Sequence, residues 1–199
     1  LSDDRVGTLH ALCYRALDRP KIIDREVLQD WNREYPMMQF GGISTNIDDP
    51  YGDIDSSGAK DGDGLLQELN RLRGLQTPKE FWPVRVQNFA QYWEDFKDQT
   101  FTIDFTDLIA RCVDERIPIP HDSRVMFLDE VQDFSPLELS LARWWGSSCE
   151  ELYLGGDDDQ VLYRFKGAIP DAFMSPELPA EQVTILAQSY RVPRAVHAA

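Results

Sequence analysis

Two carboxylates, Asp129 and Glu130, stand directly after a short uncharged apolar run, Val125-Met126-Phe127-Leu128. A second run, Glu151-Leu152-Tyr153-Leu154, leads through Gly155-Gly156 into Asp157-Asp158-Asp159-Gln160. Apolar runs of this length bounded by polar residues read as buried strands of a parallel sheet, and ligands of open α/β sheets gather at the carboxyl ends of such strands. Like charges held a few ångströms apart repel or raise each other's pKa, and a divalent cation relieves that. Mg²⁺ is held by one or two carboxylates together with waters and phosphate oxygens. Asp129 is therefore the candidate metal anchor, and Glu130 the candidate base that orients or deprotonates an attacking water.

The elements that must position these groups are local and readable. Ser135-Pro136-Leu137-Glu138 has a serine N-cap, proline at the first helical position and glutamate three after the cap, so a helix is predicted from there to Gly146. The unit is strand, acidic turn, helix, strand. A third strand is predicted at Val183-Thr184-Ile185-Leu186, delivering Gln188-Ser189-Tyr190-Arg191 to the same sheet edge, before Pro193 opens a last helix.

Four stretches carry a family pattern. Asp129-Glu130-Val131-Gln132-Asp133, the string Gly156 to Ala168 with Gln160-Val161-Leu162-Tyr163-Arg164-Phe165-Lys166-Gly167 inside it, and Gln188-Ser189-Tyr190-Arg191 resemble three consecutive motifs of the UvrD/Rep/PcrA-like superfamily 1 helicases. Thr8-Leu9-His10-Ala11 is similar to a fourth, the one that precedes an inserted helical subdomain. The resemblance covers both ends of the chain, and the Gln-x-x-Tyr-x-aromatic-x-Gly-Ala string is its most specific part.

The resemblance implies a fold and a set of roles. The fold is α/β: a partial RecA-like P-loop NTPase domain (domain 1A) with a parallel sheet, formed by residues 1–17 and 101–199, carrying an all-helical 1B-like insertion at 18–100. The function is an ATP-dependent 3′-to-5′ single-stranded-DNA translocase or helicase of DNA repair, recombination or replication, using ATP and Mg²⁺ on single strands and single-strand/duplex junctions. Asp129 would anchor Mg²⁺, Glu130 would act on water, Gln160 and Arg191 would meet the γ-phosphate and Tyr190 would stack on adenine. Thr8 and His10 would lie against the strand's backbone, and Tyr163 and Phe165 would stack on its bases. His10 can equally satisfy a buried backbone group.

No Gly-x-x-x-x-Gly-Lys-Ser/Thr occurs in these 199 residues. The resemblance places that phosphate-cradling loop before Leu1 and a second RecA-like domain after Ala199, so the chain is expected to be a fragment that does not turn over ATP alone. Two other classes stay open: a helicase-like module without ATPase that binds DNA or docks proteins, and the motor part of a helicase–nuclease.

Composition bounds the rest. A chain with 42% apolar residues and five Trp can bury a core. No run of 18 apolar residues and no signal pattern occurs, so no membrane partner is expected. Cys13, Cys112 and Cys149 are odd in number and widely spaced, which suits a reducing cytoplasm and neither a zinc site nor a disulfide framework. The net charge of −15 opposes phosphate binding, but residues 161–199 hold four basic against three acidic side chains, among them Arg164, Lys166, Arg191 and Arg194.

Within residues 18–100, Asp24 is predicted to cap a helix through Tyr35, and the Gly/Asp/Ser-rich stretch 41–64 to be a surface loop or disordered. Leu65, Leu66, Leu69 and Leu72 mark a helix ending at Gly74, Thr77-Pro78-Lys79-Glu80 a capping box, and Val84 to Gln99 a longer helix striped by Phe89, Tyr92, Trp93 and Phe96. Asp104 to Arg116 is predicted as a helix returning to the α/β part.

Overall fold

The computed structural model describes residues 5–41, 60–157, 175 and 177–186. It is mixed helix with a small parallel two-stranded sheet. Thr8 begins α1 (Leu9–Ala16), its Oγ1 accepting from the Ala11 N–H at 3.2 Å, and Asp24 begins α2 (Arg25–Glu34) in the same way through Val27 at 2.9 Å. There follow α3 (Asp61–Gly74), α4 (Val84–Thr100), α5 (Phe105–Asp114), β1 (Val125–Leu128), α6 (Pro136–Gly146) and β2 (Glu151–Leu154). Reciprocal capping boxes start α5 (Asp104 with Asp107) and α6 (Ser135 with Glu138), satisfying donors that a helix leaves open.

Two hydrophobic clusters organise the chain. One is drawn wholly from residues 23–96, with Trp31, Phe89 and Trp93 fully buried at its centre. The other joins Leu9 and Cys13 of α1 to Leu108, Ile109 and Cys112 of α5, Met126 of β1 and Leu137, Leu141 and Trp145 of α6. Trp145 is anchored by its indole N–H, which donates to the Ile117 carbonyl at 2.9 Å. Between the clusters the chain leaves and returns through a single parallel bridge, Ile22 with Ile103: the Ile23 N–H donates to Ile103 O, and the Ile103 N–H to Lys21 O, each at 3.0 Å.

A buried ion network sits beside this neck. The Lys97 ammonium on α4 donates to Asp104 at 3.1 Å and to Asp107 at 2.6 Å. Arg73 of α3 pairs with Asp104 at 3.2 Å and also with Asp107, and the Trp93 indole N–H donates to Asp104 at 3.0 Å. Lys97 is only 2% exposed. Burial alone would raise the pKa of Asp104, but the Lys97 and Arg73 charges outweigh it and hold the carboxyl well below the usual range. Burial would likewise lower Lys97, and Asp104 and Asp107 reverse the sign, so its pKa lies above the ordinary lysine value.

Four expectations need correction. The loop does not extend to Gly64, because α3 already begins at Asp61. Gly62 permits this: its N–H donates to Gln39 O at 2.9 Å, and a Cβ there would lie 2.4 Å from Met38 O. Residues 42–59, the rest of that stretch, lie outside the described residues. The short turn expected after Thr77, interrupted by Pro83, is present as the 3₁₀ turn Lys79–Phe81, but the capping box is not formed, since Pro78 is the N-cap and no side chain caps it. Val183–Leu186 pairs with no described strand; after the 3₁₀ turn Ala180–Gln182 it runs on with Ile185 and Leu186 exposed, because a strand exists only where its N–H and C=O groups find a ladder. Finally, β1 and β2 are half-buried, not buried. Met126 faces the core, whereas Phe127 is 74% exposed and stacks on Tyr153 at 4.8 Å on the open face, where no described element covers the pair.

Candidate active site at the carboxyl ends of the strands

Parallel pairing puts Val125 opposite Glu151 and Leu128 opposite Leu154, so both strands release their chains at one edge. There the two turns are knitted together. The Gly155 N–H donates to Leu128 O at 2.8 Å, and the Val131 N–H donates back to Gly155 O at 3.0 Å. Asp129 and Glu130, both exposed, occupy this edge, and Asp129 Oδ1 accepts the Glu130 N–H at 3.0 Å. Glu130 has φ of 55°, the left-handed region that costs a residue with a Cβ and that Asp18, Arg19, Gln76, Phe101 and Arg116 also adopt. It turns the chain sharply into the 3₁₀ segment Val131–Asp133, whose Val131 and Gln132 are buried.

Gln132 lies beneath the turn, 1% exposed. Its Nε2 donates to Glu130 Oε2 at 2.6 Å, and its Oε1 accepts the Asp157 N–H at 3.1 Å. One side chain therefore touches both strand ends. Gly156 makes room for it, since a Cβ there would come within 2.8 Å of Gln132 Oε1.

The donor set suits a shared cation better than a caged one. Among the described residues no group of three or more His, Cys, Asp and Glu gathers as a metal cage. Two adjacent carboxylates on an exposed edge are the arrangement that Mg²⁺ uses when phosphate oxygens and water complete its shell.

A model of the UvrD/REP helicase N-terminal domain matches residues 1–179. The chain belongs to that family. It is 24% identical over 204 residues to YjcD of Bacillus subtilis, which bears an ATP-dependent DNA helicase name, covering 93% of this chain and 26% of that protein. It is 26% identical to the ATP-dependent DNA helicase PcrA of Bacillus subtilis, covering 94% and 27%. A DNA helicase II homolog of Mycoplasma pneumoniae is 26% identical, covering 85% and 26%. The chain thus spans about a quarter of the length of these curated relatives.

Of the residues expected at the site, Asp129 and Glu130, neighbours in the sequence, are both exposed at the strand edge. Gln160, Tyr163, Phe165, Tyr190 and Arg191 lie outside the described residues. Thr8 is the N-cap of α1. His10 is buried, 4% exposed, with its ring edge-on to Phe105 at 6.2 Å. Cys13, Cys112 and Cys149 are free, and burial pushes the Cys13 thiol far above its ordinary pKa, with Cys112 hydrogen-bonded beside it. Among the described residues no helix is long and apolar enough to cross a membrane. Sequence reasoning missed the role of Gln132; its only signal was a neutral amide set between acids in Asp129-Glu130-Val131-Gln132-Asp133.

Proposed function

We propose that this UvrD/REP-family chain is part of an ATP-driven 3′-to-5′ translocase or helicase acting on single-stranded DNA and its junctions in repair, recombination or replication. Its α/β part is read as RecA-like, formed by residues 1–17 and 101–199, and residues 18–100 as the inserted helical subdomain. The separate cluster within residues 23–96 and the single bridge at Ile22 and Ile103 support that division.

The observation that carries the reading is the shared edge where Asp129 and Glu130 meet the turn after β2. Asp129 would hold Mg²⁺, which neutralises charge on the phosphates when bound. Glu130 would orient the attacking water and accept its proton. Gln160 and Arg191 are assigned to the terminal phosphate, Tyr190 to the adenine, and Tyr163 and Phe165 to the bases of the strand. Thr8 and His10 are assigned to the strand's backbone, although Thr8 caps α1 through Oγ1 and His10 is buried against Phe105. These residues contain no phosphate-cradling loop, so ATP turnover is assigned to the full-length protein.

The test is Glu130→Gln in that protein. Turnover should fall by about 10²-fold or more, the scale of a lost general base, with nucleotide binding retained. Unchanged turnover would remove Glu130 from the reaction.

A further inference from the structure

We propose that Gln132 is a positioning residue for this site, one amide that sets the side chain of Glu130 and the carboxyl end of β2 as a single piece. The inference rests on the reading of Glu130 as the group that activates water. The orientation of the amide follows from its neighbours: an ionised carboxylate only accepts and a backbone N–H only donates, so Nε2 must face Glu130 Oε2 and Oε1 must face Asp157 N–H. Each arm is at hydrogen-bonding length, 2.6 Å and 3.1 Å, and a side chain 1% exposed has little water to substitute for either.

The consequence falls on Glu130. An exposed carboxylate is free to sample rotamers, and a water-activating group gains from being held in one. The Gln132 amide supplies that hold through Oε2 alone. Its other arm reaches Asp157, three residues before Gln160 in the chain. Gly156 records the same requirement from the opposite side. Its backbone does not have the positive φ that would call for glycine, yet a Cβ would meet Gln132 Oε1 at 2.8 Å and Gln132 N at 3.3 Å. The Val131 side chain also stands close, with its Cγ2 at 3.1 Å, so glycine here clears both Gln132 and Val131.

The experiment uses the full-length protein with three changes, Gln132→Met, Gly156→Ala and their combination. Gln132→Met deletes both arms at nearly constant volume. Gly156→Ala leaves the amide intact and displaces it. Each should lower kcat for ATP by about 10- to 100-fold, the range seen when an outer hydrogen-bond partner of a catalytic or metal-binding group is lost. Nucleotide Kd should stay within about 3-fold, which marks a loss confined to the reacting state. The combined variant should lose clearly less than the product of the two single losses, because the closest contact of the new Cβ is the Gln132 amide itself.

Wild-type kcat in Gln132→Met, or losses that multiply in the combined variant, overturns the proposal. Should Gln132→Met fail to fold, Gly156→Ala decides by itself, since it changes an exposed position, and normal turnover there overturns the proposal equally. Glu130→Gln run alongside separates the two levels. If Glu130→Gln abolishes turnover while the Gln132 and Gly156 variants run normally, only the positioning role is lost; if Glu130→Gln turns over normally, the reading beneath it fails as well.

Discussion

Gly62 shows how closely a single atom can be rationed in this chain. Glycine inside a helix costs about 1 kcal/mol against alanine, so its place in α3 needs a local reason. The reason is the carbonyl of Met38, which would stand 2.4 Å from an added Cβ and already accepts the Trp31 indole N–H at 2.6 Å. Gly62→Ala should therefore destabilise by about 1–3 kcal/mol, as overpacking does, instead of stabilising as alanine would on an open helix. Urea unfolding followed by tryptophan emission measures it, with Trp31 reporting from the affected cluster; an unchanged midpoint would show that the 38–39 backbone yields freely. At this scale the sequence was legible wherever chemistry is local. Asp24 and Ser135 each cap the helix that follows, because a cap needs only its own next three residues. Gln132 was not legible, since its partners sit on the turn after β2 and only folding brings Asp157 to it.

Among the elements, the neck carries the larger energies. The expected stripe on α4 packs through Phe89, Trp93 and Phe96, while Tyr92 is half exposed, so the buried face turns toward Lys97. Nothing in the sequence marks that lysine, because lysines are almost never fully buried unless paired. Lys97→Met would leave Asp104 and Asp107 facing Arg73 alone. A cost of about 3–5 kcal/mol is expected, the range for breaking a buried ion group from one side. The pH dependence follows from the same charges. Asp104 has a folded pKa below its unfolded value, so its contribution is complete above about pH 4 and drains away as the pH falls, when the unfolded chain binds more protons than the folded one. Lys97 has a raised pKa and contributes below about pH 10, losing its share only in stronger alkali. Urea midpoints between pH 2 and 6 should fall steeply for the wild type and more gently for Lys97→Met; parallel slopes would mean that other carboxylates govern acid unfolding.

At the scale of the whole molecule, family membership and charge pull in different directions. A net charge of −15 opposes phosphate contact, and only short stretches such as residues 161–199, with four basic against three acidic side chains, run against that balance. Residues 1–199 expressed alone are expected to show no ATP turnover above background with single-stranded DNA present, while the full-length protein turns over; hydrolysis by the isolated residues would contradict the assignment of the phosphate loop elsewhere. The α/β class was legible from two apolar runs and the helix between them. The exposure of Phe127 and Tyr153 was not, because an apolar run states what a strand is made of and not what lies on each side of it.

The four-residue ladder of β1 and β2 also sets which genetic edits the site can survive. One extra codon within either run would shift the pleat on one side of it by a residue, reversing which side chains there face the core, and would slide the acidic turn out of step with Gly155. Extra codons between Gly146 and Glu151 would disturb less of the edge but would still displace Cys149 from the cluster beside α6 and the Glu150 N–H from Arg124 O.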